Sequence, residues 1–358
     1  MNIKYKYIKE QCDNILNNSN IDFSYYLYQR LKENNYEKTE YPLVVGFKIT
    51  DKCNFNCTNC YVQKGNNDLK LADFKDIFFK LKCKPLYVYL TGGDPFLNED
   101  IFKIIDFLHE QNIKLRIHST GIYDQKTRET IVDKLKEKKV SSIQLSIDSI
   151  KNFDGLRPSN FDNPLSILGD FIYKTQNFTD ITVNFVLSKE NRYDIFDVID
   201  FCVVKNITQL NFSQYMGDIK NCVSDLDLDY YKEVIDYIYN KGIEINGYPF
   251  SHFSSIERLL GDIKNIDGLF CPACKTEIEI DMYGDVYPCP FLYNDKFKLG
   301  NIFSTDIMKV WKKKSILDRK VWSNSEKCKK CDIYEKCGGG CFAFAFTNGS
   351  TYDTRCNL

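Results

Sequence analysis

The sequence has almost no net charge and no long apolar run. Across 358 residues the formal net charge is −1 at pH 7, so there is no excess of positive charge to hold a nucleic-acid backbone or an anionic membrane surface. No stretch reaches the roughly 18 consecutive apolar residues of a membrane-spanning helix, and the polar first residues do not form a secretory signal. We therefore expect neither a nucleic acid nor a membrane as a partner, and we predict a cytoplasmic location.

Histidine is scarce and cysteine is abundant, with three histidines and 15 cysteines. Thiols in the cytoplasm stay reduced, which argues against a disulfide framework. An odd number of cysteines in such a compartment indicates metal ligation.

From residue 43 onward, short β-branched or aromatic runs alternate with helical patterns such as Asn98–Gln111 and Lys126–Lys138. Strict β–α alternation predicts a parallel sheet with helices outside it. Six units predict an α/β fold, an open, partial (β/α)6 barrel, with its chemistry at the C-terminal ends of the strands. The predicted strands are Leu43–Thr50, Leu86–Leu90, Ile113–Ser119, Ser142–Asp148, Asp180–Leu187 and Gln209–Ser213.

The same patterns divide the chain into three regions. Residues 1–42 are predicted to form a mostly helical lead-in, residues 43–270 the barrel, and residues 271–358 a cysteine-rich, turn-rich extension. The extension is too short and too polar to bury a good core of its own, and small domains of this kind normally need metals.

Three cysteines follow the first predicted strand: Cys53, Cys57 and Cys60, with the spacing CxxxCxxC. Three thiolates on one loop can bind three corners of a cubane cluster and leave the fourth iron without a protein ligand. An open position is what a catalytic metal site requires. The alternative is a three-cysteine zinc site or coincidence, although zinc sites usually use two CxxC pairs.

The second predicted strand runs into Gly92-Gly93-Asp94-Pro95 on the same rim of the barrel. Glycines at a strand end let the backbone approach a ligand closely, and the carboxylate can accept hydrogen bonds from an ammonium group. Standing alone, this motif would be read as a Gly-Gly turn with an exposed aspartate. Beside the cysteines it supports a binding site.

With these two motifs the sequence resembles the radical S-adenosylmethionine (SAM) superfamily over roughly residues 43 to 215. Ser146-Ile147-Asp148, Asp154 and Arg157 extend the match, whereas Asp94 replaces the more usual glutamate. The resemblance implies that the first three cysteines hold a [4Fe–4S] cluster whose open iron is chelated by SAM. The implied SAM contacts are Gly92, Gly93 and Asp94 at the amino group, Ser146 and Arg157 at the ribose and carboxylate, and Leu187 near the adenine, with Pro95 and Asp148 as further members of the motifs.

The C-terminal cysteines form a second constellation. Cys271 and Cys274 precede a pattern that predicts a β-hairpin, which turns at Gly284 and returns Cys289 toward them. The remaining members are Cys328, Cys331, Cys337, Cys341 and Cys356. Eight thiolates make two four-cysteine sites, which suit iron–sulfur clusters and zinc equally well.

From Cys271 onward the pattern resembles the SPASM extension of radical SAM peptide maturases, in which the connections between cysteines cross. The resemblance implies a first auxiliary [4Fe–4S] cluster on Cys271, Cys274, Cys289 and Cys341, and a second on Cys328, Cys331, Cys337 and Cys356. Ligation by four thiolates leaves no open iron and favours electron transfer or redox tuning. The expected cofactors are therefore three [4Fe–4S] clusters and SAM.

The chemistry implied by the resemblance begins with reductive cleavage of SAM and removal of a substrate hydrogen atom by a 5′-deoxyadenosyl radical. Because SPASM proteins mostly act on peptides and proteins, we predict an enzyme that installs a thioether or carbon–carbon cross-link in a ribosomal peptide, with flavodoxin or ferredoxin as electron donor. The alternatives are formylglycine formation in a sulfatase, oxidation or decarboxylation of a small molecule such as a tetrapyrrole, and a non-catalytic zinc or iron–sulfur scaffold. The lead-in of residues 1–42 is short for a complete winged-helix domain, so we expect a leader peptide to be recognised by a separate protein or by the barrel surface.

A few other residues are expected to be structural. Cys83 and Cys202 lie in apolar helical patterns and are predicted to pack in the core, while Cys12 and Cys222 stay unassigned. Tyr87 and Tyr89 alternate on the second strand and are predicted to belong to the core, not to act as radical relays.

Overall fold

Parallel strands in chain order form most of the fold. The computed structural model describes residues 39–138, 140–223, 228–246, 271–312, 325–332, 334 and 338–356. Within them a ten-stranded sheet has the order β10-β9-β8-β1-β2-β3-β4-β5-β6-β7. The strands are β1 Val44–Thr50, β2 Tyr87–Gly92, β3 Lys114–Ser119, β4 Ser142–Ser146, β5 Asp180–Leu187, β6 Gln209–Gln214, β7 Glu244–Asn246, β8 Glu277–Ile280, β9 Asp285–Tyr287 and β10 Gly300–Asn301. The helices are α1 Leu71–Lys80, α2 Ile101–Glu110, α3 Gln125–Glu137, α4 Phe153–Leu156, α5 Pro164–Thr175, α6 Asp194–Val204, α7 Leu228–Lys241, α8 Ile307–Lys312, α9 Glu326–Lys329 and α10 Phe342–Thr347.

The six predicted strands are all present, and β1 to β7 pair in parallel with their neighbours in the chain. The prediction of an α/β partial barrel is confirmed. Strand β7 was not predicted, because three residues are too few to show an alternating pattern. The predicted lead-in falls, up to residue 38, outside the described residues. No described helix combines the length and the apolar character needed to cross a bilayer.

Strand β1 shows how the sheet divides the molecule into two faces. Val45 and Phe47 are fully buried in the apolar core, and Phe47 packs against Phe74 of α1 with 4.8 Å between ring centroids. Successive side chains on a strand point to opposite faces. Gly46 and Lys48 therefore lie on the other face, which we call the inner face.

The C-terminal extension continues this sheet. Strand β8 pairs in parallel with β1, so that Glu279 lies opposite Gly46, and β9 pairs antiparallel with β8. The predicted hairpin is thereby confirmed, with Gly284 in its turn at φ 77°. Ile278 and Val286 of the hairpin belong to the same apolar core as the barrel strands. The extension thus relies on the barrel core, and β8 covers an edge of β1 that would otherwise be unpaired.

Candidate functional site

The first three cysteines lie on the loop between β1 and α1. Cys53 and Cys57 are half-buried, and Cys60 is exposed. Burial raises the pKa of Cys53 to about 12, and the nearby Asp94 and Cys57 add to this increase. Burial also raises the pKa of Cys57, with a further contribution from Cys60 and an opposing one from Arg157. The three thiols therefore lie together on one loop that opens toward solvent at Cys60.

The glycines after β2 support this loop through the backbone. The N–H of Gly93 donates to the carbonyl of Thr50 at 2.8 Å, and the N–H of Asp94 donates to the carbonyl of Lys52 at 2.7 Å. A Cβ atom at Gly92 or Gly93 would collide with these two carbonyl oxygens, and Gly92 has a φ of 146°. Only glycine lets the two chains approach so closely immediately before the first cysteine.

The Asp94 carboxylate is turned toward the loop after β3 and is 1% exposed. It accepts hydrogen bonds from the backbone N–H and hydroxyl of Thr120, at 2.9 and 2.7 Å, and from the hydroxyl of Tyr123 at 2.7 Å. Ser119 and the N–H of Phe96 also donate to it. These donors fill the roughly four lone-pair positions of a carboxylate. The contact of Gly92, Gly93 and Asp94 with the SAM amino group stays a prediction.

Beside Asp94, Pro95 is buried and begins a short 3-10 turn over Pro95–Leu97. This turn leads the chain away from the rim and into α2.

Asp148 and Arg157 form a buried ion pair after β4. The Asp148 Oδ2 atom lies 2.8 Å from Nε and 2.7 Å from Nη2 of Arg157. The other carboxylate oxygen accepts from the N–H of Val186 at 2.9 Å. Arg157 Nη1 is 3.7 Å from the Sγ atom of Cys57, so this pair lies directly against the cysteine loop.

Ser146 and Leu187 occupy different faces of the sheet. Ser146 ends β4 opposite Asn184 and is half-buried. Leu187 ends β5, but its side chain is buried in the apolar core. The contact of Leu187 with adenine stays a prediction. Because the side chain is buried in the core, the backbone of Leu187 at the rim would have to make this contact.

The inner face carries acidic groups that sequence reasoning missed. Glu279 is 1% exposed; its Oε2 atom accepts from the hydroxyl of Tyr293 at 3.1 Å, while Oε1 has no hydrogen-bond partner among the described residues. Burial raises the pKa of Glu279 to about 8 and that of Glu277 to about 7. The signal in the sequence was an acidic residue at every second position of a strand, at Glu277, Glu279 and Asp281.

Aromatic side chains connect the inner face to both cysteine groups. Tyr61, directly after Cys60, has its ring centroid 5.0 Å from that of Phe291, two residues after Cys289. Tyr61 and Phe291 are partly open to solvent, at 45% and 39% exposed, whereas Glu279 is buried. Burial raises the pKa of Cys289, and the charge of Glu279 adds to the increase. We call the region around Tyr61, Phe291 and Glu279 the inner chamber.

Tyr89 and His118 extend the inner chamber along the sheet. The prediction that Tyr87 and Tyr89 belong to the apolar core is wrong, because both are half-buried and the ring of Tyr89 lies over Gly46 on the inner face. It stacks on His118 with 5.1 Å between ring centroids and 17° between planes. Burial, with the charge of Arg116, lowers the pKa of His118 to about 3, so this imidazole is neutral at physiological pH. The sequence alternation was read correctly, but it could not tell which face was polar.

In the extension, Cys341 lies near Cys271 and Cys289. Cys271 is exposed, and the negative charge of Cys341 acts on it to raise its pKa. The pKa of Cys289 is raised by burial and then by the charges of Cys271 and Cys341. Cys274 is buried in the adjacent turn, where its N–H donates to the carbonyl of Glu277 at 2.9 Å.

A second group lies around α9. The N–H of Cys331 donates to the carbonyl of Cys328 at 3.0 Å, and Lys327 Nζ lies 3.1 Å from the carbonyl oxygen of Cys356. Cys337 lies outside the described residues.

The donor chemistry of both regions fits iron–sulfur clusters, which are held by cysteine thiolates. Cys53, Cys57 and Cys60 share one loop, and Cys341 lies near Cys271 and Cys289.

Outside both sites, Cys202 is fully buried in α6, as predicted. Cys83 follows the end of α1 and is only half-buried against the core, so the prediction of a buried helical residue is wrong for it. Cys12 lies outside the described residues.

Comparison with known proteins gives matches along most of the chain. Residues 47–201 match the radical SAM superfamily, and residues 271–332 match the SPASM iron–sulfur cluster-binding domain. The mycofactocin maturase MftC of Mycolicibacterium smegmatis is 26% identical over 339 residues, covering 90% of this chain and 84% of that protein.

Solved structures share the fold. SuiB of Streptococcus suis, bound to its precursor peptide SuiA, is 23% identical with a TM-score of 0.70, covering 92% of this chain and 79% of that one. The structure of anSMEcpe with bound AdoMet is 18% identical with a TM-score of 0.65, covering 86% and 91%.

The matched segments contain Cys53, Cys57 and Cys60 and the first five cysteines of the extension, from Cys271 to Cys331. The resemblance drawn from Cys53, Cys57, Cys60 and the glycine motif is confirmed, as is the resemblance of the extension to SPASM. [4Fe–4S] clusters and SAM are the cofactors of such a protein. The chain belongs to the radical SAM superfamily and is a radical SAM enzyme with a C-terminal SPASM domain.

Proposed function

We propose that this enzyme modifies a ribosomally made peptide by installing a thioether or carbon–carbon cross-link. The observation that carries the proposal is the contact between Tyr61 and Phe291 in the inner chamber, which brings the cysteine loop of the barrel next to Cys289 of the extension. Tyr61 and Phe291 meet at 5.0 Å between ring centroids, and each follows a cysteine of a different group. A substrate held there is next to the site of radical formation and next to an electron acceptor.

The ligand assignments are part of this proposal. Cys53, Cys57 and Cys60 would hold the cluster that binds SAM, and the extension would hold two auxiliary clusters, the first on Cys271, Cys274, Cys289 and Cys341 and the second on Cys328, Cys331, Cys337 and Cys356. SAM and its cluster supply a 5′-deoxyadenosyl radical when bound. The protein orients the substrate and excludes water.

Several side chains of the chamber suit a peptide. Glu279 presents a buried carboxyl oxygen without a partner among the described residues, which can form a hydrogen bond with a peptide group or a polar side chain. The neutral, stacked His118–Tyr89 pair offers an aromatic surface beside it. Polar acceptors next to aromatic rings are typical of sites that orient a ligand through a few groups.

Similarity to relatives supports the same substrate class. MftC is named a maturase of mycofactocin and is matched over 90% of this chain. Formylglycine formation in a sulfatase and oxidation or decarboxylation of a tetrapyrrole are less well supported than peptide cross-linking, because no feature of the chamber is specific for either substrate.

The test is anaerobic turnover with reconstituted enzyme, SAM, a reductant and the short peptides encoded beside its gene. The expected product has lost two hydrogen atoms per cross-link, by mass spectrometry, with 5′-deoxyadenosine formed in proportion. A variant with Cys53, Cys57 and Cys60 all replaced by alanine is the matched control. A sulfatase peptide containing cysteine and a tetrapyrrole are incubated in parallel. Conversion of either one, with the neighbouring peptides unchanged, would contradict the proposal.

The electron donor and the location complete the proposal. We expect reduced flavodoxin or ferredoxin to replace a chemical reductant, and we expect the enzyme to work in the cytoplasm, where its ligand thiols stay reduced.

A further inference from the structure

Arg157 occupies an unexpected position for a residue that resemblance assigns to SAM. It is 8% exposed, and two of its nitrogen atoms contact one oxygen of Asp148, at 2.8 and 2.7 Å. The third, Nη1, points at Cys57 with 3.7 Å between nitrogen and Sγ. Its planar group thus bridges a carboxylate and a cysteine thiol.

Both sides of this bridge are held by the backbone. Asp148 is fixed because its second oxygen accepts from the N–H of Val186 at 2.9 Å. On the cysteine side, the N–H of Asn56 donates to the carbonyl of Pro158 at 2.8 Å, and that of Thr58 donates to the carbonyl of Leu156 at 3.1 Å. The residues flanking Cys57 are therefore bonded to the residues flanking Arg157, so the backbone holds the two segments together and the ion pair with Asp148 holds the Arg157 side chain.

From this geometry we infer that Arg157 sets the reduction potential of the N-terminal cluster through its N–H···S contact with Cys57. The inference rests on the ligand assignment proposed above, and not on the identity of the substrate. A cluster gains negative charge when it is reduced, and hydrogen bonds to its sulfur atoms favour that form. A residue behind a metal ligand, in contact with it, commonly tunes the metal in this way.

The charges around the contact support the inference. A guanidinium is not deprotonated in proteins, so Arg157 stays charged beside the thiolate. The negative charge of Asp148 partly offsets the positive charge of Arg157. Removing one or the other charge should therefore move the reduction potential of the cluster in opposite directions.

The experiment is a redox titration of the reconstituted holoenzyme without SAM, followed by electron paramagnetic resonance. The N-terminal cluster is identified as the signal that SAM perturbs and that Cys57→Ala removes. With Arg157→Gln, the ratio of reduced to oxidised N-terminal cluster at a fixed potential should fall roughly tenfold, the effect of one hydrogen bond to a charged group, which corresponds to about 59 mV for a one-electron couple. The auxiliary signals should not move.

Two further variants keep the test decisive if Arg157→Gln fails to fold. Arg157→Lys keeps the charge but not the planar fork and should give a smaller shift in the same direction. Asp148→Asn leaves the guanidinium uncompensated and should raise the potential. Arg128→Gln is the matched control, since Arg128 pairs with Asp170 at 2.9 Å between two outer helices, and it should change nothing.

Two results would overturn the inference. If Arg157→Lys and Asp148→Asn leave the potential unchanged while the Kd for SAM rises, Arg157 serves SAM alone. If both shift the potential in the same direction, its role is structural. Retention of the SAM-sensitive signal in Cys57→Ala would instead contradict the ligand assignment, which is a separate failure.

Discussion

The two cysteine regions of this enzyme are assembled in opposite ways. In the barrel, Cys53, Cys57 and Cys60 come from one loop at the end of β1, and the glycines after β2 hold that loop by backbone hydrogen bonds. In the extension, Cys271 and Cys341 are far apart in the sequence, yet the charge of Cys341 contributes to the raised pKa of Cys271. A local loop can be recognised from its spacing alone, whereas a site assembled from distant segments depends on the fold to be complete.

The largest expected effect is the loss of SAM cleavage when the cysteines of the barrel loop are removed and those of the extension are kept. Replacing Cys53, Cys57 and Cys60 together with alanine should abolish SAM cleavage, because no cluster remains to transfer an electron. The auxiliary clusters should persist, so the bound iron should fall by about a third from three cubanes. Iron analysis and measurement of 5′-deoxyadenosine check this, and continued formation of 5′-deoxyadenosine would contradict the assignment of the site.

The next effect tests which cysteines of the extension share a cluster. Cys341→Ala should remove the auxiliary cluster shared with Cys271 and Cys289 and leave the cluster around Cys328, since the charge of Cys341 acts on the former pair. Magnetic resonance of the variant, compared with Cys328→Ala, measures which signal disappears. Loss of the same signal in both variants would show that the two cysteines share one cluster.

A smaller effect examines how the barrel loop is supported. Gly93→Ala should lower the free energy of unfolding by about 3 kcal/mol, because the new methyl group would collide with the carbonyl of Lys52. Gly242→Ala is the matched control: it has a φ of 67° and open space around it, so strain alone should cost about 1 kcal/mol. Equal losses in anaerobic denaturation would contradict a steric role for Gly93.

The smallest effect concerns the inner chamber. The folded pKa of Glu279 is about 8, well above its ordinary value of 4.5, so the folded protein retains a proton that the unfolded chain loses. Stability from this group is complete below about pH 4.5 and declines as the pH rises toward 8. Glu279→Gln removes this dependence, so the Tm of the variant relative to wild type should increase between pH 6 and pH 8.5. A constant difference would show that Glu279 is ionised throughout.

The sequence predicted what is local and missed what is long-range. The six strands could be located because each alternates or is continuously apolar, and the cysteine loop because its spacing is short. The contact of Arg157 with Cys57 joins residues 100 positions apart, and no pattern within a window reports such a pairing. The acidic residues at alternate positions of β8 were visible in the sequence. Which face of the sheet they occupy depends on the pairing of β8 with β1, and only the sheet order reveals that pairing.

The pairing of β8 with β1 also limits how the enzyme can be dissected. A chain truncated after residue 270 would lose four paired positions along the strand that leads into the first cysteine loop, from Val44↔Glu277 to Phe47↔Ile280. Its bare edge would then be open to association with other chains. The extension is therefore not a detachable module, and a barrel prepared without it would be a poor guide to the intact enzyme.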